Sequence, residues 1–331
     1  MNVLVTGGAG YVGSHVCKAL KRAGHVPITY DNLTTGYESL VQYGPFVKGD
    51  IADYNNVLQS ITEYKIEAII HLAALSIVGE STRDPGSYYK NNVSGSLTLI
   101  EAAVAGKVKA FVFSSSAAVY GLPLSIPIEE EHPVAPINPY GASKAMIERM
   151  LEDFKKAHGI EFALLRYFNA AGADPDLEIG EMHDPETHLI PLCIKAVLGK
   201  LEYMEIFGTD YKTQDGTAVR DYIHVSDLAS AHIQSLRVIL EKNESLTLNL
   251  GSERGFSVQE IIESVEKISG KKIRVKKSKR RPGDPPVLIA SARKARECLG
   301  WRPEYEQIDE IIQTSYEWEK KRMRKNSLSK I

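Results

Sequence analysis

In the stretch NPYGASKAMIERM, residues 138–150, a tyrosine and a lysine stand four residues apart, at Tyr140 and Lys144. Asn138 can cap a helix whose first turn holds Pro139, which puts the phenol and the ammonium on one face, one turn apart. Taken alone, such a pair is what many amphipathic helices show on their surface. Two neighbours change its meaning. The preceding apolar run, AFVFSSSAAVYG, carries three serines at its end, and the chain opens on a glycine-rich turn. Oxidising an alcohol by hydride loss needs a base for the hydroxyl proton, and tyrosine, with a pKa of about 10, is mostly in the wrong form near neutral pH. An ammonium about 5 Å away, at an effective dielectric near 20, favours the phenolate by about 3 kcal/mol, or about two pKa units. A serine hydroxyl can then hold the substrate oxygen in line for proton transfer. The expectation is a base that works near neutral pH.

The glycine turn, TGGAGYVGSH, directly follows the apolar run NVLVT and precedes a helical pattern. It fits G-x-G-x-x-G through Gly8, Gly10 and Gly13, and G-x-x-G-x-x-G through Gly7, Gly10 and Gly13. Glycines there allow a tight turn and let the backbone approach a pyrophosphate resting on the helix N-terminus. Asp31, at the end of VPITYD, lies about 20 residues past the turn, where a carboxylate accepts hydrogen bonds from an adenosine ribose. A carboxylate repels a 2′-phosphate, so NAD is expected rather than NADP. The positive nicotinamide ring of NAD would push the tyrosine in the same direction as the lysine does. Asp50, in FVKGDI, falls near the expected adenine; a loop aspartate capping the next helix is an equally ordinary role for it.

These residues need a scaffold. NVLVT, VPITY, AIIHL, AFVFS and FALLRYF read as strands, separated by helical patterns such as SHVCKALKRAG and SGSLTLIEAAVAG. Strands apolar throughout and separated by helices predict an α/β fold, a doubly wound parallel (Rossmann) sheet covered on both faces. Past residue 170 the pattern loosens into GADPDLEIGEMHDPETH and the basic, proline-rich KSKRRPGDPP. We therefore expect a dinucleotide domain over residues 1–170, with segments near 215–250 returning to it. Residues 171–331 would form mainly a smaller α/β substrate-binding domain over the carboxyl ends of the strands.

The 331 residues are 43% hydrophobic and 25% charged with a net charge of −2, which fits a globular enzyme and gives no reason to expect nucleic acid or an anionic membrane. Three distant cysteines, Cys17, Cys193 and Cys298, suggest neither a disulfide framework nor a metal pair, and fit the cytoplasm. MNVLVTGG runs into a strand without a basic lead-in, so no signal peptide is expected. The longest apolar run, AIIHLAALSIVG, is too short to span a bilayer. The basic tail, EKKRMRKNSLSKI, reads as a solvated helix end.

Taken together, GGAGYVGSH, YDNL, GDI, HLAA, NNVSGSLTLIEA, SSSAAVYG, NPYGASK, LRYFNAAGA, DGTAVRDYIHVSDLA and RRPGDPP resemble the extended short-chain dehydrogenase/reductase (NAD-dependent epimerase/dehydratase) family over essentially the whole chain. The resemblance implies inversion of C4 in a UDP-sugar, UDP-galactose to UDP-glucose, through a 4-keto intermediate and with tightly held NAD. It makes Tyr140 the base, has Lys144 bond the nicotinamide ribose, and has Ser116 steady the 4-oxygen. It assigns Gly7, Gly10, Tyr11, Val12, Gly13, Asp31, Asn32, Asp50, Ile51, Ala73, Asn91 and Tyr167 to the cofactor. It assigns Asn169, Leu189, Arg220 and Arg281 to the UDP-sugar, where guanidinium forks suit a pyrophosphate. A structural pair of Arg220 with Asp221 or Asp227 is the alternative. No metal is implied, and a homodimer is.

Four positions depart from the family pattern. Ser76 stands where some relatives place a lysine, Ala118 where a threonine is frequent and His188 where an asparagine is usual; Leu288 lies where room for an N-acetyl group is set. His188 is read as a satisfied polar group without a catalytic role. Sugar dehydratases of the family carry an Asp-Glu pair after the serine strand, and SSAAVYG has no carboxylate there. Epimerases of UDP-N-acetylhexosamines, UDP-glucuronate or UDP-pentoses share nearly all the same parts. An inactive NAD sensor or scaffold would be expected to lose the tyrosine or the lysine, and both are kept.

Overall fold

The computed structural model describes residues 1–281 and 284–328; Pro282 and Gly283 of the basic run and the last three residues of the tail lie outside the described residues. The strands are β1 (Asn2–Thr6), β2 (Val26–Asp31), β3 (Phe46–Lys48), β4 (Ala68–His71), β5 (Ala110–Ser114), β6 (Glu161–Tyr167), β7 (Asn169–Ala171), β8 (Met204–Phe207), β9 (Val219–His224), β10 (Leu246–Leu250), β11 (Gly255–Ser257), β12 (Val275–Ser278) and β13 (Val287–Leu288). The helices are α1 (Tyr11–Arg22), α2 (Tyr54–Glu63), α3 (Val78–Ser81), α4 (Pro85–Tyr88), α5 (Gly95–Ala105), α6 (Pro139–His158), α7 (Leu189–Val197), α8 (Val225–Lys242), α9 (Val258–Ser269), α10 (Arg293–Leu299) and α11 (Ile308–Leu328).

Seven strands make one parallel sheet in the order β10-β6-β5-β4-β1-β2-β3. Side chains alternate across a strand, so each strand feeds two cores. Val3 and Val5 of β1 join a core with Val16 and Leu20 of α1 and with Leu228 and Leu236 of α8. Leu4 between them joins a second core with Val57 of α2, Leu99 of α5 and Ile147 of α6. Burial on both faces is why these strands read as unbroken apolar runs. From β1 the chain builds outward to β3 and then returns to β4 on the other side of β1, so a crevice opens where the loops after β1 and β4 part.

Two smaller sheets stand apart from the large one. In one, β9 pairs with β7 and β13 in parallel and with β11 antiparallel. In the other, β8 and β12 are parallel. Helices α7, α9 and α11 pack with β8 around a third core built on Ile190, Ile194, Ile261, Val265 and Ile312. Local sequence fixes several helix ends. Asn138 accepts a hydrogen bond from Gly141 N at 2.8 Å with Pro139 at N1, and Gly159, at φ 74°, closes α6. Ser257 and Glu260 form a capping box on α9. The three cysteines are unpaired. Among the described residues no helix is long and apolar enough to cross a membrane.

Candidate active site

A cleft of about 1650 Å³ lies over the carboxyl ends of the strands. All the residues expected at the site except Asp50 line it. Gly7 takes φ 72°, a conformation that favours glycine, and a Cβ there would lie 2.7 Å from Ala73 N on the loop after β4. A Cβ on Gly13 would lie 2.1 Å from Gly7 O, so α1 can pack this close to the turn only with glycine. At Gly10 a Cβ would meet Gly7 O alone, at 3.2 Å, and otherwise fill the cleft. Gly8 is confined as well, a Cβ there lying 2.9 Å from Val5 O, so both glycine spacings are built into the turn. No side chain caps the first turn of α1, which leaves its N–H groups free to take an anion.

Asp31 is almost buried at the end of β2, where its carboxylate accepts from Ala9 N at 3.0 Å and Leu33 N at 2.8 Å. Burial raises its pKa, and these two backbone bonds oppose the rise. Asn32, Ile51, Ala73 and Asn91 complete the wall on this side. Neighbouring Asn92 is buried and holds Leu75 N at 2.8 Å and Ser143 at 3.0 Å, tying the loop after β4 to α6. Asp50 is exposed and off the cleft wall. Its carboxylate accepts from Asn32 Nδ2 and from Ala52 N, each at 2.9 Å, so it braces Asn32 at the rim, while the cap of α2 is Asp53. A crevice of open glycine backbone with a carboxylate at the second strand fits a dinucleotide such as NAD.

Tyr140 and Lys144 sit in the first turns of α6, against the serine end of β5. The Ser116 hydroxyl accepts from Ala118 N at 3.2 Å and, like the Tyr140 phenol, lines the cleft, where its influence lowers the phenol's pKa. Lys144 Nζ donates to Ser114 O at 2.8 Å and stands 5.9 Å from the centre of the Tyr140 ring. The electrostatics correct the simple reading of the pair. Burial raises the Tyr140 pKa, and the nearby Ser116 hydroxyl only partly opposes that. Burial also pulls Lys144 down to about 7 against the field of Glu148, because an ammonium that is 3% exposed has lost most of its hydration. In the ligand-free cleft burial pushes both groups toward their neutral forms. Tyr167 also lines the cleft, with its pKa raised first by burial.

Behind this row lies a buried ion pair that the sequence reading missed. Arg166 grips Glu148 with Nε at 2.9 Å and Nη2 at 2.6 Å, and Ser115 donates to the same carboxylate at 2.5 Å. The signal was Glu148 at i+4 from Lys144. The network ties α6, the serine segment and β6 together.

At the other end of the cleft are Asn169, Leu189, Arg220 and Arg281. Asn169 Nδ2 donates to Asp221 O at 2.8 Å. Arg220 pairs with neither Asp221 nor Asp227; it is ion-paired with Asp284. Asp221 is instead held by Ser252 and by the N–H groups of Glu253 and Ala290, and Asp227 by those of Glu304 and Tyr305. Arg281 lies over the Phe207 ring at 4.3 Å. Ser76, Ala118, His188 and Leu288 are on the wall as well. Burial opposes a proton on His188, but Glu181 at 2.7 Å and Glu186 at 3.2 Å outweigh that and push its pKa up to about 10. His183 meets the same Glu181 at 2.8 Å.

The model of the NAD dependent epimerase/dehydratase family matches residues 3–251. The chain is 48% identical over 321 residues to a UDP-glucose 4-epimerase of Rhizobium meliloti, with 97% of this chain and 98% of the relative covered. Its fold superposes on the crystal structure of UDP-glucose 4-epimerase from Brucella ovis in complex with NAD at a TM-score of 0.94, with 47% identity and 96% and 97% of the two chains covered. It also superposes on a UDP-glucose-4-epimerase from Stenotrophomonas maltophila with bound NAD and formylated UDP-arabinopyranose, at 0.95, 38%, and 98% and 99%. With its glycine turn at the switch point of a parallel sheet and these full-length likenesses, the chain belongs to the NAD dependent epimerase/dehydratase family.

Proposed function

We propose that the chain inverts C4 of a UDP-hexose, interconverting UDP-galactose and UDP-glucose through a 4-keto sugar. The observation that carries this reading is one cleft lined by Ser116, Tyr140, Lys144, the open glycine turn and two arginines. NAD, when bound, supplies the reversible two-electron chemistry at C4. Tyr140 removes the proton of the 4-hydroxyl and returns it, and Ser116 holds that oxygen on the phenol. Lys144, fixed by Ser114 O, stabilises the phenolate and reaches the ribose. Gly7, Gly10, Tyr11, Val12 and Gly13 would hold the pyrophosphate of NAD, Asp31 its adenosine ribose, and Asn32, Ile51, Ala73, Asn91 and Tyr167 the rest. Arg220 and Arg281 would hold the UDP pyrophosphate, with Asn169 and Leu189 beside it. Ala117 and Ala118 line the cleft where a dehydratase needs its acid and base, which favours inversion over loss of water.

In this reading residues 1–170, with segments near 215–250, serve the dinucleotide, and residues 171–331 serve mainly the sugar nucleotide. The protein would work in the cytoplasm, where its unpaired thiols stay reduced. It would form a homodimer, as the family resemblance implies. The test is a panel of UDP-sugars with and without N-acetyl groups, followed by NMR for inversion at C4. UDP-galactose should yield UDP-glucose. A folded, NAD-loaded sample that inverts none of the panel would make the chain a binding protein.

A further inference from the structure

The segment between β7 and α7 repeats a short pattern: Glu181-x-His183 is followed, after Asp184 and Pro185, by Glu186-x-His188. The fold closes the two halves on each other. Each of the four residues offers one ligand atom, and all four atoms lie within 4.8 Å of one another. The Glu181 carboxylate is 2.8 Å from His183 Nδ1 and 2.7 Å from His188 Nδ1, and Glu186 is 3.2 Å from the latter. We propose that these residues form a binding site for one divalent cation of the zinc, cobalt or nickel type, with two imidazole nitrogens and two carboxylates as ligands.

Edges of that length subtend roughly 80–100° at an ion with bonds of about 2.0–2.2 Å, close to octahedral spacing, so a tetrahedral zinc would spread the ligands slightly. Two nitrogens select borderline transition metals over magnesium or calcium, which prefer oxygen alone. Charge points the same way. The Glu181 and Glu186 side chains are 8% and 4% exposed, and the ion pairs they make are with these imidazoles. Two nearly buried carboxylates this close repel, and a dication that replaces the imidazole protons between them offsets both. The ligands are also held from outside. Glu186 accepts from Thr187 N at 2.8 Å and His188 N at 2.9 Å, and Trp318 Nε1 donates to the Glu181 carbonyl at 3.1 Å. Glu181, His183 and His188 line the cleft, and His183 packs on the edge of Tyr11 in the glycine turn. A bound ion would therefore lock the segment that joins the cofactor end of the cleft to Leu189.

The full-length protein, stripped with a chelator, is titrated with Co²⁺ and Zn²⁺, following the visible cobalt bands and competition with a chromogenic chelator. One ion per chain is expected. His183→Ala and His188→Ala should each weaken binding at least about tenfold, as loss of a metal-supporting group does. His158→Ala, an exposed histidine of α6, should leave it unchanged. Folding of each variant is checked by its melting curve, and Glu186→Gln replaces any histidine variant that does not fold. No ion held by the wild-type chain, or equal binding by wild type and variants, overturns the proposal.

Discussion

Replacing Lys144 by methionine keeps the length of the side chain and removes its charge. Taking the 5.9 Å from Nζ to the centre of the Tyr140 ring as the separation, a fully protonated Lys144 is worth about 3 kcal/mol to the phenolate at an effective dielectric near 20, or about two pKa units. The sign follows from which form works. The base is the phenolate, so losing the cation raises the pKa on the acid side of the rate profile. Turnover at neutral pH should fall about 100-fold and recover as pH rises. The ligand-free cleft adds a second expectation. Burial there holds Tyr140 up and Lys144 down to about 7, so the base is formed only when cofactor and sugar fill the site. In the wild type the acid limb of kcat/KM, which reports free enzyme, should lie above that of kcat, which reports the complex. The assay is the rate of UDP-glucose formation from UDP-galactose across neutral and alkaline pH, for both proteins, with NAD saturating and its retention measured separately. A Lys144→Met profile whose acid limb stays in place, with turnover lost equally at every pH, would refute the electrostatic role and leave Lys144 as a ribose anchor alone.

Three further substitutions probe the scaffold around the pair. Gly13→Ala places a Cβ 2.1 Å from Gly7 O, so the purified variant should carry no NAD by absorbance and melt lower than wild type; normal NAD content would show that the turn tolerates the shift. Asp31→Asn removes the buried carboxylate at the end of β2, and should weaken NAD by about tenfold while improving NADP, as measured by fluorescence titration. An unchanged ratio of the two affinities would contradict the assignment of Asp31 to the ribose. Glu148→Gln leaves the buried Arg166 guanidinium without its counter-charge and should lower stability by about 3–5 kcal/mol in urea unfolding. A loss below about 1 kcal/mol would mean that water reaches the pair.

The large sheet was legible because its strands are buried on both faces, which prints five of them as plain apolar runs and the glycine turn as their punctuation. The cap at Asn138 and the one-turn spacing of Tyr140 and Lys144 were local, and local spacing survives folding. What could not be read depends on distance or on burial. Arg220 meets Asp284 from 64 residues away, with no pattern in either neighbourhood to announce it. The sheet around β9 joins Phe256 and Leu288 to Arg220 through strands of two or three residues, too short for any periodicity. Coulomb attraction between phenol and ammonium was visible as spacing, whereas the desolvation that opposes it appears only once both groups are enclosed. The repeated E-x-H was in plain view, yet without its closure it read as one polar histidine.

The most direct test of the central claim uses UDP-galactose deuterated at C4 and the wild-type protein. If Tyr140 handles only the oxygen-bound proton and C4 loses and regains hydrogen through the bound dinucleotide, UDP-glucose should form with its deuterium still at C4. Deuterium washed out into solvent would mean that C4 itself is deprotonated, and the account of the site would then be wrong.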